Sequence, residues 1–510
     1  MAAFGLLLLV ISYFTEAGDE YHMRFWTNLL HNATFFTGIA VLACFAYAAF
    51  TTAYAGWFVQ FKRVWESFGM FILPGLFLFG VIIVGLWLHS HHLYHWADEA
   101  EVAKDGILEH KSAFLNPVWF TGATVVFLGL YYFLIGSIRK ISIDEDRNGG
   151  DADFSHHRRI KKWAAPMLAA IGFTSPFLIW QWIMSIDAHW YSTMFAWYAS
   201  ASLFVAMTAL TIMLLIYLKS RGYFPGVNAE HFHDLGKYLF AISIFWTYLW
   251  FSQYMLIWYG NVGEETIYFR ERLDSYPVLF WGNLLLNFVA PFFVLMRNDT
   301  KRKAGTLFFA AAVVFFGHWF DFFNMIKPGA RINLEHAMHA AHGGDHGEEH
   351  ATMDGHAGDH ADEDHSNEDH AHNDTDGTYA GDHNTAGESQ EGSTEPTITG
   401  YSNVEDEHES GHGDHHDGHP DGHGEDHGAE YATAAGGEEL GAAGTAELAG
   451  DGHHGHRDFK AGYTIPGLLE IGIFLGFLGG FLYFVLHTLT KAPLEPKRDP
   501  YYEESLHHHT

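Results

Sequence analysis

The stretch that decides the fold is MFAWYASASLFVAMTALTIMLLIYL at residues 194–218, which runs for 25 residues without a charged side chain. An α-helix of about 20 apolar residues spans the hydrocarbon core of a bilayer, where only helices and closed barrels satisfy every backbone hydrogen-bonding group. Eight more runs have similar length and composition: roughly Thr34–Phe58, Phe68–Leu88, Val118–Ile138, Trp163–Ile186, Leu239–Trp258, Val278–Met296, Leu307–Met325 and Ile465–Leu486. The sequence therefore predicts an all-α polytopic membrane protein.

A tenth apolar run, Met1–Phe14, is short for a complete span. We expect that its start is truncated or that the true initiator lies upstream. A signal peptide is the alternative interpretation, but the run lacks the basic region that precedes the apolar part of such a peptide. With this run included, we expect about ten transmembrane helices.

The charges of the connecting loops test this helix count, because short cytoplasmic loops collect Lys and Arg. Basic residues occur in alternate loops: Lys62 and Arg63, then Arg139, Lys140, Arg158, Arg159, Lys161 and Lys162, then Lys219 and Arg221, then Arg297, Lys301, Arg302 and Lys303, and finally Lys491, Lys497 and Arg498. The loops between them are acidic or nearly neutral. This alternation predicts ten helices with both termini in the cytoplasm.

The net charge of −32 comes from one segment. Residues Ile332–His456 contain no Lys or Arg but 31 of the 60 acidic residues, which leaves 29 acidic against 28 basic residues elsewhere. The segment is rich in His and Gly and poor in large apolar residues, so it cannot bury enough surface to offset the entropy of ordering the chain. We expect a disordered, acidic, His-rich periplasmic insertion (332–456) after helices 1–9 (1–331), followed by helix 10 (457–490) and a cytoplasmic tail (491–510).

The composition excludes several functions. Nucleic-acid binding requires a basic surface, and a balance of 28 basic against 60 acidic residues argues against it. The single cysteine, Cys44, excludes an internal disulfide and an iron–sulfur cluster, and neither a Cys-x-x-Cys-His haem motif nor a glycine-rich nucleotide loop occurs. The His, Asp and Glu residues of the insertion can coordinate Zn²⁺, Ni²⁺ or Cu²⁺ weakly, but their spacing is irregular. We expect no covalently bound cofactor and no defined metal site.

Ionisable side chains in or beside membrane helices are candidates for function, because they are costly to place there. Four groups lie at the predicted outer ends of helices. They are His31 before helix 2, His89, His91, His92, His95 and Asp98 after helix 3, Asp187 and His189 after helix 5, and His318 and Asp321 at the end of helix 9. A His beside a carboxylate exchanges protons near neutral pH, as a proton exit or a quinol-oxidising site requires. Each residue alone can equally be an interfacial residue in contact with water and headgroups.

Two further candidates lie deeper in the predicted membrane region. Tyr254 belongs to an uncharged polar row on helix 7, which either lines a water path or holds helices together by hydrogen bonds. Glu470 is a lone carboxylate in helix 10 and requires a partner or a role in proton transfer. In the same helix, Gly472, Gly476 and Gly480 are spaced four apart and predict a close helix contact.

Four stretches resemble the F-type membrane subunit of bacterial Alternative Complex III, a quinol:cytochrome c oxidoreductase: RFWTNLLHN at residues 24–32, HLYHWAD at 92–98, SIDAHWYSTMF at 185–195 and FSQYMLIWY at 251–259. The C-terminal PYYEESLHHH at 500–509 is similar to the ending of that protein family. The resemblance covers essentially all ten helices and excludes Ile332–His456.

The resemblance implies a membrane subunit of the polysulfide-reductase type in a bacterial inner membrane, with two four-helix bundles and two peripheral helices. Its partners would be a homologous membrane subunit, periplasmic iron–sulfur and multihaem cytochrome c subunits, lipid and, as a further option, a terminal oxidase. Haem and iron–sulfur clusters would lie in those partners only, and menaquinone or another quinone is compatible with the membrane subunits. Electrons from quinol would pass through the partners to cytochrome c or another periplasmic acceptor.

In this family the quinol pocket lies in the sibling subunit and combines a His at the start of helix 2, a polar cluster after helix 3 and an Asp near the start of helix 4. His31 and the region His89–His95 match this pattern, but Asn116–Thr124 contains no carboxylate. We therefore expect a non-redox subunit that supports electron transfer and conducts protons, with the outer His and Asp clusters as the release end. A secondary transporter, for instance for a divalent metal, and a purely structural scaffold are the alternatives.

Overall fold

The computed structural model describes residues 1–15, 22–149, 154–343 and 459–509. Within these ranges nine helices are long and apolar enough to cross a membrane, and Ala2–Phe14 is a shorter apolar helix. The protein is therefore an all-α polytopic membrane protein, as the sequence predicts. A second unit, residues Gly355–His453, lies wholly outside the described residues. The insertion predicted to be disordered, residues 332–456, also lies outside them except for residues 332–343, which are helical.

The helices are numbered here in chain order. They are α1 Ala2–Phe14, α2 Met23–Thr52, α3 Lys62–Gly69, α4 Ile72–Trp87, α5 Glu99–Val102, α6 Gly106–Lys111, α7 Pro117–Asn148, α8 Ser155–Trp182, α9 Thr193–Ser220, α10 Ala229–Gly260, α11 Gly263–Asp274, α12 Pro277–Leu284, α13 Ala290–Leu295, α14 Asn298–Arg302, α15 Ala304–Gly343, α16 Leu468–Leu489 and α17 Tyr502–Leu506. A π-helical segment, Leu285–Val289, joins α12 to α13. The pair α3 and α4 and the pair α12 and α13 each form one span.

Local sequence explains where several helices begin. The side chain of Asn116 accepts a hydrogen bond from the backbone N–H of Trp119 at 2.8 Å, and Pro117 occupies the first turn of α7, where a free N–H is not needed. Asn228 caps α10 in the same way by accepting a hydrogen bond from the backbone N–H of His231 at 3.2 Å. Polar capping residues therefore define the first residue of these helices, which hydropathy alone does not determine.

The spans form two four-helix bundles. The first consists of α2, α4, α7 and α8, and the second consists of α9, α10, the α12–α13 span and α15. Contacts of α2 with α9 and α15 join the two bundles. The helices α1 and α16 pack together at the periphery, beside α2. This arrangement confirms the predicted two bundles with two peripheral helices.

Successive spans run in opposite directions, so their connections collect at two ends of the bundles. The end formed by residues 88–116, residues 187–192 and α11 is named the histidine end, because His89, His92, His95 and His189 lie there. The end formed by residues 221–228, residues 296–303 and residues 490–509 is named the basic end. The loop charges predict that the histidine end is the outer one.

Two helices extend beyond their predicted limits, which corrects the positions of three candidate residues. Helix α2 begins at Met23, so His31 lies inside the helix and not before it. Helix α15 continues to Gly343, so His318 and Asp321 lie in the middle of a 40-residue helix and not at its end, and the predicted boundary at residue 332 also falls inside this helix. Hydropathy misplaced these limits because both helices carry polar side chains that are buried against other helices.

Charged residues that the sequence placed in a solvated loop are instead buried in an ion network at the basic end. Arg63 is 1% exposed and contacts Glu66 of the same helix, α3, at 2.6 Å. Lys62 is buried beside it and pairs with Glu145 of α7 at 3.3 Å and with Asp499. The prediction of a basic loop was therefore wrong at these two positions, since their charges tie α3 to α7 and to the C-terminal residues.

The contact between α1 and α16 depends on glycine, as the spacing of glycines predicts. The backbones of Gly5 and Gly476 lie against each other, and a Cβ atom on Gly476 would clash with Gly5. We predict that Gly476→Ala lowers the stability of the detergent-purified protein by about 1–3 kcal/mol, as in other overpacked sites. Thermal unfolding followed by intrinsic fluorescence measures the effect. The control is Gly480→Ala, whose Cβ would meet Ala2 at 3.9 Å; an equal loss in both variants would contradict the prediction.

Candidate functional site

Asp321 lies in the second bundle and is fully buried. It is 17 residues from the start of α15, or about 26 Å along the helix axis. Its carboxylate accepts hydrogen bonds from Ser202 at 2.8 Å and from the hydroxyl of Tyr198, both on α9. The indole N–H of Trp246 on α10 donates at 2.9 Å, and the amide of Asn283 on α12 donates at 2.5 Å. All four donors are neutral, so they satisfy the carboxylate without pairing it with a cation.

His318 lies one turn before Asp321 and is also fully buried. The Nδ1 atom of His318 is 2.8 Å from the hydroxyl of Ser202, which also donates to Asp321. The direct separation between Nδ1 and the Asp321 carboxylate is 4.0 Å, so the hydroxyl bridges the two groups. The two residues share a face of α15, because residues three apart are neighbours on a helix.

A break in helical geometry brings two amides to the same site. Asn287 donates to Asn283 at 2.5 Å and to the carbonyl of Gly317 at 3.0 Å, and it lies within the π-helical segment Leu285–Val289. A Cβ atom on Gly317 would clash with the Asn287 side chain, so glycine is what permits the close approach. Single π-helical turns inside α-helices are frequent at functional sites. Here the π turn orients the amide row toward Asp321.

Tyr268 of α11 lies near both carboxylates. The charges of Asp321, Asp187 and Arg272 all act on its phenol, and Tyr268 and Tyr198 also influence each other electrostatically. The ring of Tyr268 stacks on Trp190 with 4.0 Å between centroids. Burial raises the pKa of Tyr268, and the charge of Arg272 opposes this only in part, so the phenol is neutral near pH 7. Two phenols are therefore close to the two carboxylates: Tyr198 donates to Asp321, and the ring of Tyr268 faces Arg272, the partner of Asp187.

Asp187 forms an ion pair with Arg272 where this row of groups reaches the histidine end. The separation between the carboxylate of Asp187 and the guanidinium is 3.1 Å, and the guanidinium also lies 3.4 Å from the ring centroid of Tyr268. Burial raises the pKa of Asp187, and the charge and hydrogen bond of Arg272 oppose the shift without cancelling it. Asp187 therefore binds a proton more readily than a carboxylate that pairs with a cation in water.

A crevice of about 90 Å³ opens beside this ion pair at the histidine end and is lined by His95, His189 and His336. The ring centroid of His95 lies 6.2 Å from that of His189 and 6.0 Å from that of His336. His189 donates a hydrogen bond to the carboxylate of Asp105. Burial lowers the pKa of His95, and the neighbouring His189 lowers it further. The crevice thus gathers several groups that exchange protons with water next to Asp187.

Five of the candidates predicted from the sequence therefore belong to one polar route, namely His318, Asp321, Asp187, His189 and His95. Neutral hydroxyl, amide and indole groups line its buried part, and titratable groups in contact with water lie at its outer end. Groups of this kind bind and release protons without any cofactor. The arrangement therefore combines a buried carboxylate with exposed titratable groups at one end of the bundle.

Three candidates after helix 3 lie away from this route. Helix α4 ends at Trp87, so His89 and His92 do not share a helical face. His89 is exposed and has a positive φ of 49°. Asp98 caps α5 by accepting a hydrogen bond from the backbone N–H of Ala100 at 2.9 Å. These positions suit an interfacial role.

His31 and Tyr254 are packing residues in this fold. The Nε2 atom of His31 donates to the carbonyl oxygen of Trp319 at 2.9 Å, and the two rings stack with 4.9 Å between centroids. Tyr254 packs edge-on against Phe269 with 5.4 Å between centroids. His31 is fully buried, so it does not face an open pocket.

Glu470 has the partner that its position requires. It accepts hydrogen bonds from Arg24 of α2 at 2.8 and 3.2 Å and from the backbone N–H of Gly467 at 3.0 Å, so it also caps its own helix. Nearby, the buried Lys327 of α15 donates to Thr27 at 2.6 Å. These contacts fasten α16 to α2 across the long insertion, which gives Glu470 a structural role.

Sequence reasoning missed Tyr198, Ser202, Trp246, Tyr268 and Arg272. Tyr198 and Ser202 are four apart in the apolar helix α9, and this spacing was the one local signal available for them. Trp246 has no distinguishing local pattern among the many aromatic residues of the chain. Tyr268 and Arg272 belong to α11, a polar helix between spans. Charged residues are ordinary in such a segment, so the sequence does not single out Arg272. Their roles depend on tertiary contacts.

In the part of the chain that the structure describes, no three His, Cys, Asp or Glu side chains lie close enough together to hold a metal ion. Comparison with family models and with curated proteins finds no match to this chain. The geometry of the polar route and the resemblance of individual stretches are therefore the basis for a proposed function.

The buried His91 provides a pH-dependent prediction. Its ring packs edge-on against Trp26 with 4.8 Å between centroids and is 3.3 Å from the carbonyl of Ile82. Burial lowers the pKa of His91 from 6.5 to about 4, although the hydrogen bond to Ile82 opposes the shift. As the pH falls, the unfolded chain binds this proton first, so the contribution of neutral His91 is present above pH 6.5 and is lost between pH 6.5 and about 4.

We predict that His91→Gln reduces the loss of stability between pH 7.5 and 4.5 by about 3 kcal/mol, since each pKa unit corresponds to about 1.4 kcal/mol. Chemical or thermal unfolding of the purified protein at both pH values measures the difference. The matched control is His89→Asn, because His89 is exposed and Asn tolerates a positive φ. If the control flattens the pH dependence as much as His91→Gln does, burial of His91 is not the cause.

Proposed function

We propose that this chain is the proton-conducting, non-redox membrane subunit of a quinol-oxidising respiratory complex that resembles Alternative Complex III. One observation carries the proposal. Asp321 is fully buried at membrane depth, and its four hydrogen-bond donors are all neutral. Ionisable groups inside a membrane bundle are costly and are retained for function. The resemblance of the stretches at residues 24–32, 92–98, 185–195 and 251–259 supports the assignment to such a complex.

In this proposal a proton bound by Asp321 leaves toward the histidine end. The hydroxyls of Tyr198 and Tyr268 relay it to the carboxylate of Asp187, and His189 passes it to water in the crevice. A hydroxyl relays a proton by accepting one and donating another, so neither phenol needs to ionise permanently. Moving one charge against the membrane potential requires about 2.3 kcal/mol per 100 mV, which a redox step in a partner subunit can supply.

The orientation is part of the proposal. Lys and Arg collect at the basic end, and short loops rich in these residues favour the cytoplasmic side. The histidine end would then face the periplasm of a bacterial inner membrane, with both termini in the cytoplasm and the His-rich insertion in the periplasm. Protons would thus leave the membrane on the side where the haem and iron–sulfur partners are expected.

Quinol oxidation is assigned to the homologous sibling subunit and not to this chain. His31 donates to the carbonyl of Trp319 inside the protein. This contact supports the proposal that His31 does not bind quinol. Asn116, where a carboxylate would be needed, caps α7 through Trp119 and also donates to the carbonyl of Ser112 at 2.9 Å. A quinone bound between the two membrane subunits is compatible with this division of roles.

The alternatives receive less support. A transporter for divalent metals needs a charged site near the middle of the membrane, and the central site around Asp321 offers one carboxylate with neutral partners. A purely structural subunit needs no polar route from the centre of a bundle to its end. A structural role does not require Asp321, Tyr198 or Tyr268, since apolar side chains pack membrane helices equally well.

The first test measures proton coupling. We predict that Asp321→Asn lowers the number of protons moved per electron by at least about half, because the amide cannot carry a proton, while the abundance of the assembled complex stays unchanged. Proton release by inverted or right-side-out vesicles during quinol oxidation provides the measurement. We expect Asp187→Asn and His189→Gln to lower coupling more than abundance as well.

The control for this test is Asp274→Asn, because Asp274 is a largely exposed carboxylate at the same end of the molecule. It should leave both coupling and abundance at the level of the natural protein. A parallel loss of coupling and abundance in Asp321→Asn would instead point to a structural role for the carboxylate.

The second test concerns the partners. We predict that affinity capture of this chain after mild detergent solubilisation recovers a homologous membrane subunit together with multihaem and iron–sulfur subunits. Haem staining and mass spectrometry identify these proteins. Recovery of the intact chain without any such subunit would refute its place in a quinol-oxidising complex.

A further inference from the structure

Helix α15 contains a proline, Pro328, beside the outer part of the polar route. Pro328 lies inside this helix and has no backbone N–H, so the carbonyl oxygen of Asn324, four residues earlier, has no intrahelical donor. Arg272 takes the place of that donor: its Nε donates to the Asn324 carbonyl at 3.2 Å. Its Nη2 donates to the neighbouring carbonyl of Met325 at 3.2 Å. The missing N–H of Pro328 therefore leaves a carbonyl oxygen that helps to hold a buried cation.

The guanidinium is fixed from three sides. Besides α15, its Nη1 donates to the carbonyl of Tyr268 at 3.0 Å, and its Nη2 donates to the carboxylate of Asp187 at 3.1 Å. Asp187 in turn lies against the backbone of α15, because a Cβ atom on Gly329 would be only 2.7 Å from the Asp187 carboxylate. The adjacent Pro328 and Gly329 thus position both members of the ion pair.

We propose that Arg272, held in part by the Asn324 carbonyl that Pro328 leaves without a donor, is an electrostatic barrier that stops passive proton flow between Asp321 and the crevice at the histidine end. The inference rests on the proposed function, because it concerns the same proton route. Arg272 is 1% exposed and lies between Tyr268 and Asp187, so a proton moving along the route must pass beside a fixed positive charge. A fixed arginine excludes protons from other membrane pores in this way.

The charged and titratable groups around Arg272 come from several elements. Tyr268 and Glu271 belong to α11, Asp187 and His189 to the loop after α8, His95 to the loop after α4, and His336 to α15. The carboxylate of Asp187 contacts the guanidinium directly. When Asp187 accepts a proton from the route, the guanidinium loses its negative partner but keeps its three carbonyl contacts. Its positive charge is then uncompensated, so the barrier to further protons rises until Asp187 releases its proton to the crevice.

The test uses the full chain purified and reconstituted in liposomes that enclose a pH-sensitive dye, with a pH difference imposed across the membrane. We expect the natural protein to leak protons slowly. Arg272→Gln should increase the leak at least about tenfold, equivalent to about 1.4 kcal/mol of barrier. Arg272→Lys should restore part of the barrier, because it keeps the charge but cannot bind the carbonyls as a planar fork.

Pro328→Ala tests the missing N–H without touching the charge. The alanine N–H can bond to the Asn324 carbonyl and displace Arg272, so we expect a leak between those of the natural protein and Arg272→Gln. The matched control is Pro176→Ala, which removes an interior proline from α8 away from the route and should leave the leak unchanged. Size-exclusion profiles and thermal midpoints identify any variant that fails to fold, in which case Arg272→Lys and Pro328→Ala decide the outcome.

The double variant Arg272→Gln with Asp321→Asn assigns the leak to the route. A return of the leak to the natural level supports the barrier, whereas a persistent leak overturns it, because the protons then pass elsewhere. Folded Arg272→Gln protein that does not leak also overturns the barrier. That result leaves the proposed function standing, since Asp321→Asn in the respiring complex tests the function by a separate measurement.

Discussion

The burial of one carboxylate, Asp321, is the constraint on which the second bundle depends. Moving an ionised carboxylate out of water without partners costs on the order of ten kcal/mol or more, and each hydrogen bond to a charged group returns only about 1.5–3 kcal/mol. Three different helices must therefore supply donors at once, through Tyr198 and Ser202 of α9, Trp246 of α10 and Asn283 of α12. The relative positions of α9, α10, α12 and α15 follow from this requirement.

Regular helices alone cannot deliver all of these groups. The π turn at Leu285–Val289 reorients the amide row, and Pro328 leaves the Asn324 carbonyl of α15 to Arg272. Both irregularities leave backbone groups to be satisfied, which inside a membrane is acceptable only where protein groups replace the lost partners. Arg272 provides that replacement at Pro328. The irregular backbone and the buried polar groups are therefore mutually dependent, and they occur in the same bundle for that reason.

The sequence predicted the fold well and the site in part. Charge-free runs of sufficient length are a strong local signal, so the spans were found, and the spacing of Gly476 in α16 correctly indicated a close contact. Helix limits were wrong where polar side chains are buried by other helices, as at His31. The carboxylates Asp187 and Asp321 were recognised because charge near an apolar run is conspicuous. Arg272 was not, because its burial results from α11 packing against α15, which no local pattern encodes.

The placement of cations distinguishes the two kinds of buried carboxylate in this protein. Glu66 at the basic end and Glu470 near the histidine end are each paired with arginine, an arrangement that fixes helices but resists a change of protonation. Asp321 has neutral donors, which hold the carboxylate in place and still allow a proton to bind and leave. Asp187 combines the two conditions, since it contacts Arg272 and lies beside the crevice. A route from a neutral centre to a charged exit is what controlled proton release requires, because the exit can be closed by charge while the centre stays free to exchange.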